Sequence, residues 1–204
     1  ITLAESFGVA GRGAFYEEVG AIRDVVQNHL LQIAALLAMN PPIGSGEEAL
    51  HDERNRLFRA MRPIDPADVV RGQFRGYRDE RGVAPDAQVE TFAALRVYID
   101  TWRWAGVPFY IRTGKCLPVT VNEVFVRLKR PPVSVLSDEP GATSNYLRFR
   151  LSPEVVIALG TRAKQPGSAM VGEDVELVAR EQHSDYLLPY QRLLLEAAEG
   201  DQSL

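Results

Sequence analysis

The chain has 204 residues, 46% of them hydrophobic, a length that suits one large domain with a real core. Its formal charge of −4 and its 23 scattered basic residues form no stripe that could displace counterions from a nucleic-acid backbone, which excludes nucleic acid as the expected partner. No apolar run approaches the roughly 20 residues of a membrane-spanning helix, and the single Cys116 cannot form an internal disulfide, so a reducing cytoplasm is the expected setting.

Ile1 and Leu3 alternate with polar neighbours ahead of Gly8, Gly11 and Gly13, which predicts a short strand running into a flexible loop. That strand is already under way at the first residue, so an upstream segment is expected and the chain reads as a fragment. From Glu17 to Met39 only Gly20 interrupts a pattern in which Ile22, Val26, Leu30, Ile33 and Leu37 recur at three- and four-residue steps. One long helix with a single buried face is predicted there, ended by Asn40-Pro41-Pro42. A polar loop then leads to a second amphipathic helix whose apolar side is Leu50, Leu57, Phe58 and Met61. The stretch onward to Pro85 is a Gly- and charge-rich connection.

The run QVETFAALRVYIDTW fits both periods, but Val89, Thr91, Ala93, Leu95, Val97 and Ile99 alternate cleanly and favour a long strand. VPFYIRT, EVFVRLK, NYLRFRLS, EVVIALG and DVELVA follow as short strands separated by Pro, Gly, Ser or Asn. Strands in succession without helices between them imply antiparallel pairing. LPYQRLLLEAAEGD then resumes helical spacing. The expected fold is α+β: residues 1–204 as a single domain, with one large, mostly antiparallel sheet and helices packed on one side.

Four residues are candidates for chemistry. His29 lies about 60° from the middle of the apolar stripe on an ideal helix, where a polar ring needs a partner or a ligand; a satisfied core histidine is the competing reading. Asp24 is five positions earlier, about 140° around an α-helix, which denies it a simple carboxylate–imidazole pairing with His29. Glu5, ahead of the glycine-rich loop, can accept hydrogen bonds from sugar hydroxyls, or be an ordinary strand-edge acid. Lys115, at the end of PFYIRTGK, can hold a phosphate or hydroxyl as a point charge, or be a surface lysine. The loop FGVAGRG lacks dinucleotide spacing, because Tyr16 stands where a third glycine is needed. His29, His51 and His183 are too scattered to suggest a metal site.

Taken together, ESFGVAGRGAFYEEVGAIRDVVQNHLLQ, ETFAALRVYIDTWRWAGVPFYIRTGKCLP and PYQRLLLEAAEGD closely resemble the C-terminal domain of NADP-dependent glucose-6-phosphate dehydrogenases, in order and over nearly the whole chain. The resemblance implies an oxidoreductase that oxidises glucose 6-phosphate at C1 to the 6-phosphoglucono-lactone, the first step of the pentose phosphate pathway, with hydride transfer to NADP. It makes His29 the catalytic base and Glu5, Asp24 and Lys115 substrate-binding residues. NADP, the group that orients the histidine and the main phosphate ligands are implied to belong to an N-terminal Rossmann domain, so no cofactor-binding residue is assigned within this chain. Assembly as a homodimer or dimer of dimers is implied, and the fragment alone is expected not to turn over. Thr120 departs from the pattern, falling five residues after Lys115 where many relatives carry a second basic residue. A non-catalytic homologue that serves subunit association or regulation is the alternative.

Overall fold

The computed structural model describes residues 1–133, 135–136, 144–167, 169–180 and residue 198. Its framework is an eight-stranded sheet. In chain order the strands are β1 (Thr2–Ala4), β2 (Val69–Gly72), β3 (Phe92–Val97), β4 (Phe109–Gly114), β5 (Val121–Arg127), β6 (Tyr146–Ser152), β7 (Val156–Lys164) and β8 (Gly172–Arg180). Their spatial order is β2-β3-β4-β1-β5-β6-β7-β8. β1 lies parallel to β4 and antiparallel to β5, and the other neighbouring pairs are antiparallel. The parallel pair exists because the chain leaves β1 through a long helical excursion before returning to the sheet, the kind of connection that parallel strands require.

That excursion begins with α1 (Gly13–Ala21), continues as a π-helical segment (Ile22–Leu30), and ends with α2 (Leu31–Ala38) and α3 (Glu47–Ala60). Val25, Val26, Leu30, Ala34, Ala35 and Ala38 pack with Ala93, Leu95, Val97, Phe109 and Ile111 in the main core. Each large side chain fully buried there contributes about 1.5–3 kcal/mol. Leu57 of α3 joins the same core, with Phe58 and Met61 against it. Trp104 donates its indole N–H to the Ala38 carbonyl at 2.8 Å, satisfying one of the acceptors left open at the end of α2.

The alternation predicted over Val89 to Ile99 holds from Thr91 onward, with Thr91, Ala93, Leu95, Val97 and Ile99 buried, but Val89 is only partly buried, Glu90 is buried in its stead, and the strand itself spans Phe92–Val97. The predicted α+β class and one-sided helical layer are those observed. Three further details differ from the sequence reading. The single helix over 17–39 is broken at Gly20, whose φ of 64° and ψ of 177° are not helical, and is π-helical beyond it. β2 was unforeseen, because four residues pairing only with β3 at a sheet edge need no sustained alternation. Met61 leaves the second helix and forms an isolated bridge with Ile99. The predicted C-terminal helix over 188–201 lies, apart from residue 198, outside the described residues.

Beyond β5 the sheet presents an apolar stripe. Leu159 stands opposite both Leu147 and Leu177, and Ile157 opposite Phe149. Ile157, Leu159 and Leu177 are exposed.

Candidate active site

The site is assembled where the ends of β1 and β4 run side by side. The chain past β1 keeps pairing: Glu5 donates its N–H to the Gly114 carbonyl at 3.0 Å and accepts from Leu117 N–H at 2.9 Å, and Phe7 accepts from Cys116 N–H at 3.1 Å. Cys116 has a φ of 54°, a left-handed conformation that ends the strand there. Gly114 is required, because a Cβ would come within 2.7 Å of Cδ2 of Phe92.

These constraints bury Lys115, whose side chain is only 5% exposed and whose Nζ lies 2.6 Å from Oε2 of Glu5. The same ammonium sits 5.2 Å from the centre of the Tyr16 ring and 5.3 Å from that of Phe7. A buried cation is costly unless paired, and here one carboxylate and two ring faces stabilise it. Lys115 is therefore not a surface lysine. The Glu5–Lys115 pair is neutral overall and offers both donors and an acceptor, a combination suited to hydroxyl groups. Its positive charge is already largely matched, so a doubly charged phosphate needs further cations from elsewhere.

Tyr16, in α1, is the side chain on which the charges of Asp24 and of this pair both bear. Burial holds its phenol well above the ordinary tyrosine range, and the negative charges of Asp24, Glu5 and Glu90 push the same way. The Tyr16 hydroxyl thus lies within the electrostatic reach of Asp24 and Glu5 together. Its ring meets Tyr77 edge-on at 6.3 Å, and Tyr77 donates to Oε1 of Glu17 at 2.6 Å.

The π-helical segment carries Asp24 and His29. Its defining bonds run across five residues, as in the Leu31 N–H donated to the Val26 carbonyl. A turn of more than four residues changes the sequence-based geometry: residues five apart come near one another on one side, instead of standing about 140° apart as on an α-helix. Val25, Val26 and Leu30 remain buried, while Gln27, Asn28 and His29 are exposed and Asp24 is half-buried. His29 is therefore not a core histidine. It stands a turn beyond Asp24 with its ring open to solvent, and no hydrogen bond joins the two. The structure brings Glu5 and Lys115 into direct contact, lets the charge of Asp24 bear on their aromatic neighbour Tyr16, and places His29 on the same helical segment as Asp24.

An apolar cleft of about 560 Å³, lined by Leu37, Trp104, Phe109, Val124 and Val126, lies at the far end of β4 and contains none of the four candidates. The glycine-rich loop is no nucleotide cradle either. A Cβ on Gly13 would meet the Arg81 carbonyl oxygen at 2.5 Å, so that glycine serves contact with the 81–83 segment. That loop therefore does not fit a dinucleotide. Thr120 is engaged locally: its Oγ1 accepts from Ser6 N–H at 3.0 Å and lies 2.8 Å from Ser6 Oγ. Tyr16, Phe7 and Glu90 were not foreseen from sequence. Tyr16 and Phe7 could have been sought as aromatic neighbours of a buried lysine, but Glu90, ahead of β3, is buried out of phase with the predicted alternation and left no signal.

The family model described as "Glucose-6-phosphate dehydrogenase, C-terminal domain" matches residues 1–204, and the chain belongs to that family. It is 45% identical over 207 residues to "Glucose-6-phosphate 1-dehydrogenase 1" of Mycobacterium tuberculosis (strain CDC 1551 / Oshkosh), covering 100% of this chain and 44% of that protein. The crystal structure of glucose-6-phosphate 1-dehydrogenase from Mycobacterium avium superposes with a TM-score of 0.88 at 45% identity, covering 99% of this chain and 44% of that one. A glucose-6-phosphate dehydrogenase in complex with its substrate glucose-6-phosphate matches with a TM-score of 0.87 at 35% identity and the same coverage. The chain thus spans less than half the length of these relatives.

Proposed function

We propose that this chain is the substrate-binding and dimerisation domain of an enzyme that oxidises glucose 6-phosphate at C1 to the 6-phosphoglucono-lactone. The observation that carries the reading is the Glu5–Lys115 pair at 2.6 Å, its ammonium buried against the Tyr16 ring, on the same domain as Asp24 and an exposed imidazole. Glu5, Asp24 and Lys115 hold the sugar through its hydroxyls: the ammonium donates, the carboxylates accept. His29 removes the C1 hydroxyl proton as the C1–H bond breaks, a positioned base contributing about a hundred- to ten-thousandfold in rate. NADP, when bound, supplies the hydride acceptor. It is held by a Rossmann-type domain elsewhere in the full-length protein, which also supplies the main phosphate ligands.

This division of labour follows from charge. The negative charges of Glu5, Asp24 and Glu90 all bear on the Tyr16 phenol, whose ring faces one lysine, so the chain's own residues suit the hydroxyl end of the substrate better than its phosphate. The exposed stripe of Ile157, Leu159 and Leu177 supports subunit association through the sheet. Cytoplasmic residence and a place at the head of the pentose phosphate pathway complete the proposal. The test is turnover. The full-length protein should reduce NADP in a glucose 6-phosphate-dependent manner, while residues 1–204 alone should not. A full-length protein that binds no glucose 6-phosphate and reduces no nicotinamide would refute the reading.

A further inference from the structure

Two consecutive residues ahead of β3 bind both elements that carry the site. Glu90 takes two N–H groups at the entrance of the π-helical segment: its carbonyl accepts from Ala21 at 2.9 Å, and its Oε1 accepts from Ile22 at 3.0 Å. The segment has no cap from its own side chains. Thr91 takes the other element, its carbonyl accepting from Lys115 N–H at 3.0 Å. Thr91 is fixed in turn, donating its N–H to the Gly72 carbonyl at 2.9 Å and accepting at Oγ1 from Phe74 N–H at 2.8 Å.

Glu90 is buried, and Arg71 reaches its Oε2 only at 4.0 Å from a largely exposed position. A buried carboxylate with so distant a cation is stabilised here by the Ile22 N–H and the positive end of the helical segment it faces. Gly20 keeps that seat open. A Cβ there would stand 2.8 Å from Oε1 of Glu90 and 2.8 Å from Cγ1 of Val89, and its φ of 64° lets the chain turn into the segment at that point. Ile22 is two residues before Asp24, and Lys115 directly follows β4. The Glu90–Thr91 pair is thus a short covalent bridge between the helix-borne and strand-borne parts of the site.

We propose that Glu90 is a positioning residue: its carboxylate, seated on the Ile22 N–H at the entrance of the π-helical segment and linked through Thr91 to Lys115, sets the placement of Asp24 and His29 relative to the Glu5–Lys115 pair. The inference rests on the reading of those four residues as the substrate site. What matters is an oxygen acceptor at the right reach, more than the charge.

Three variants of the full-length protein separate these roles. Glu90→Gln keeps an acceptor oxygen at the same reach, Glu90→Ala removes it, and Glu90→Asp keeps the charge one methylene short. Kinetics with glucose 6-phosphate are read alongside amide hydrogen exchange over residues 21–31. Glu90→Gln should retain kcat/KM within about threefold of the parent, while Glu90→Asp and Glu90→Ala lose at least about tenfold, a loss in keeping with a displacement of less than 1 Å at the reacting groups. The loss should accompany faster exchange over 21–31 with the β5–β8 strands unchanged. Should Glu90→Ala not accumulate as folded protein, Glu90→Asp carries the comparison. Equal losses in Glu90→Gln and Glu90→Asp, or full activity and parental exchange in Glu90→Asp, overturn the proposal. If the parent itself turns over no glucose 6-phosphate, the function assigned above fails separately, and exchange over 21–31 still decides whether Glu90 holds the segment.

Discussion

Replacing Glu5 by Gln tests whether the sheet-end cluster is held together electrostatically. Lys115 is 5% exposed and Glu5 21% exposed, with 2.6 Å between the charged atoms. At an effective dielectric of about 20, a pair that close attracts by about 6 kcal/mol before desolvation is subtracted. Breaking a buried pair by removing one partner typically costs about 3–5 kcal/mol, because the other charge is left uncompensated. Here the Tyr16 and Phe7 rings still face the ammonium, the glutamine oxygen can still accept a hydrogen bond, and Glu5 is one-fifth exposed. These offsets reduce the expected loss to about 2–3 kcal/mol. Lys115→Met alone leaves a partly solvated carboxylate and should cost about 1–2 kcal/mol. The double variant should cost less than the sum by about 2 kcal/mol, since neither charge then remains buried alone. Urea unfolding of the full-length protein, read at the transition that follows the sheet domain with matched slopes, supplies the four free energies. Additivity within about 0.5 kcal/mol would show that the pair does not stabilise the cluster, and the reasoning would fail.

Tyr16 and Tyr77 are both held above the ordinary tyrosine range, chiefly by burial. On alkaline titration followed by phenolate absorbance, both should remain protonated when the unfolded chain's tyrosines have ionised near pH 10. Because their folded values are raised, the stabilisation they contribute is fully present below about pH 10 and is lost as pH rises towards those values, so stability should fall with pH above 10. Gly20→Ala should destabilise the domain by more than about 1 kcal/mol in thermal unfolding, since it combines a left-handed φ with a Cβ 2.8 Å from Glu90 and Val89.

The sheet was legible because its strands carry a two-residue period strong enough to survive without context, most plainly from Thr91 to Ile99. The short edge strand β2 was not, since its four residues are flanked by turns and charges and owe their conformation to β3. The long helix was read correctly as a buried-face element but with the wrong pitch. Apolar spacing at three and four residues cannot register the widening to a π-helix that moves His29 to the exposed side and reduces its angular distance from Asp24. Glu5 and Lys115 were found one at a time, and nothing in their spacing foretold their contact, which requires β1 to pair with β4 across more than a hundred residues. Glu90 was invisible for the same reason: its hydrogen bonds go to a helix entrance distant in sequence, and only the folded chain brings the two together.

The most direct measurement on the central claim is the steady-state and binding behaviour of the full-length protein with His29 replaced by Asn. The account predicts that kcat falls by at least about a hundredfold while the dissociation constant for glucose 6-phosphate changes by less than about threefold. Turnover within about threefold of the parent, or a loss confined to substrate affinity, would contradict the assignment of His29 as the base.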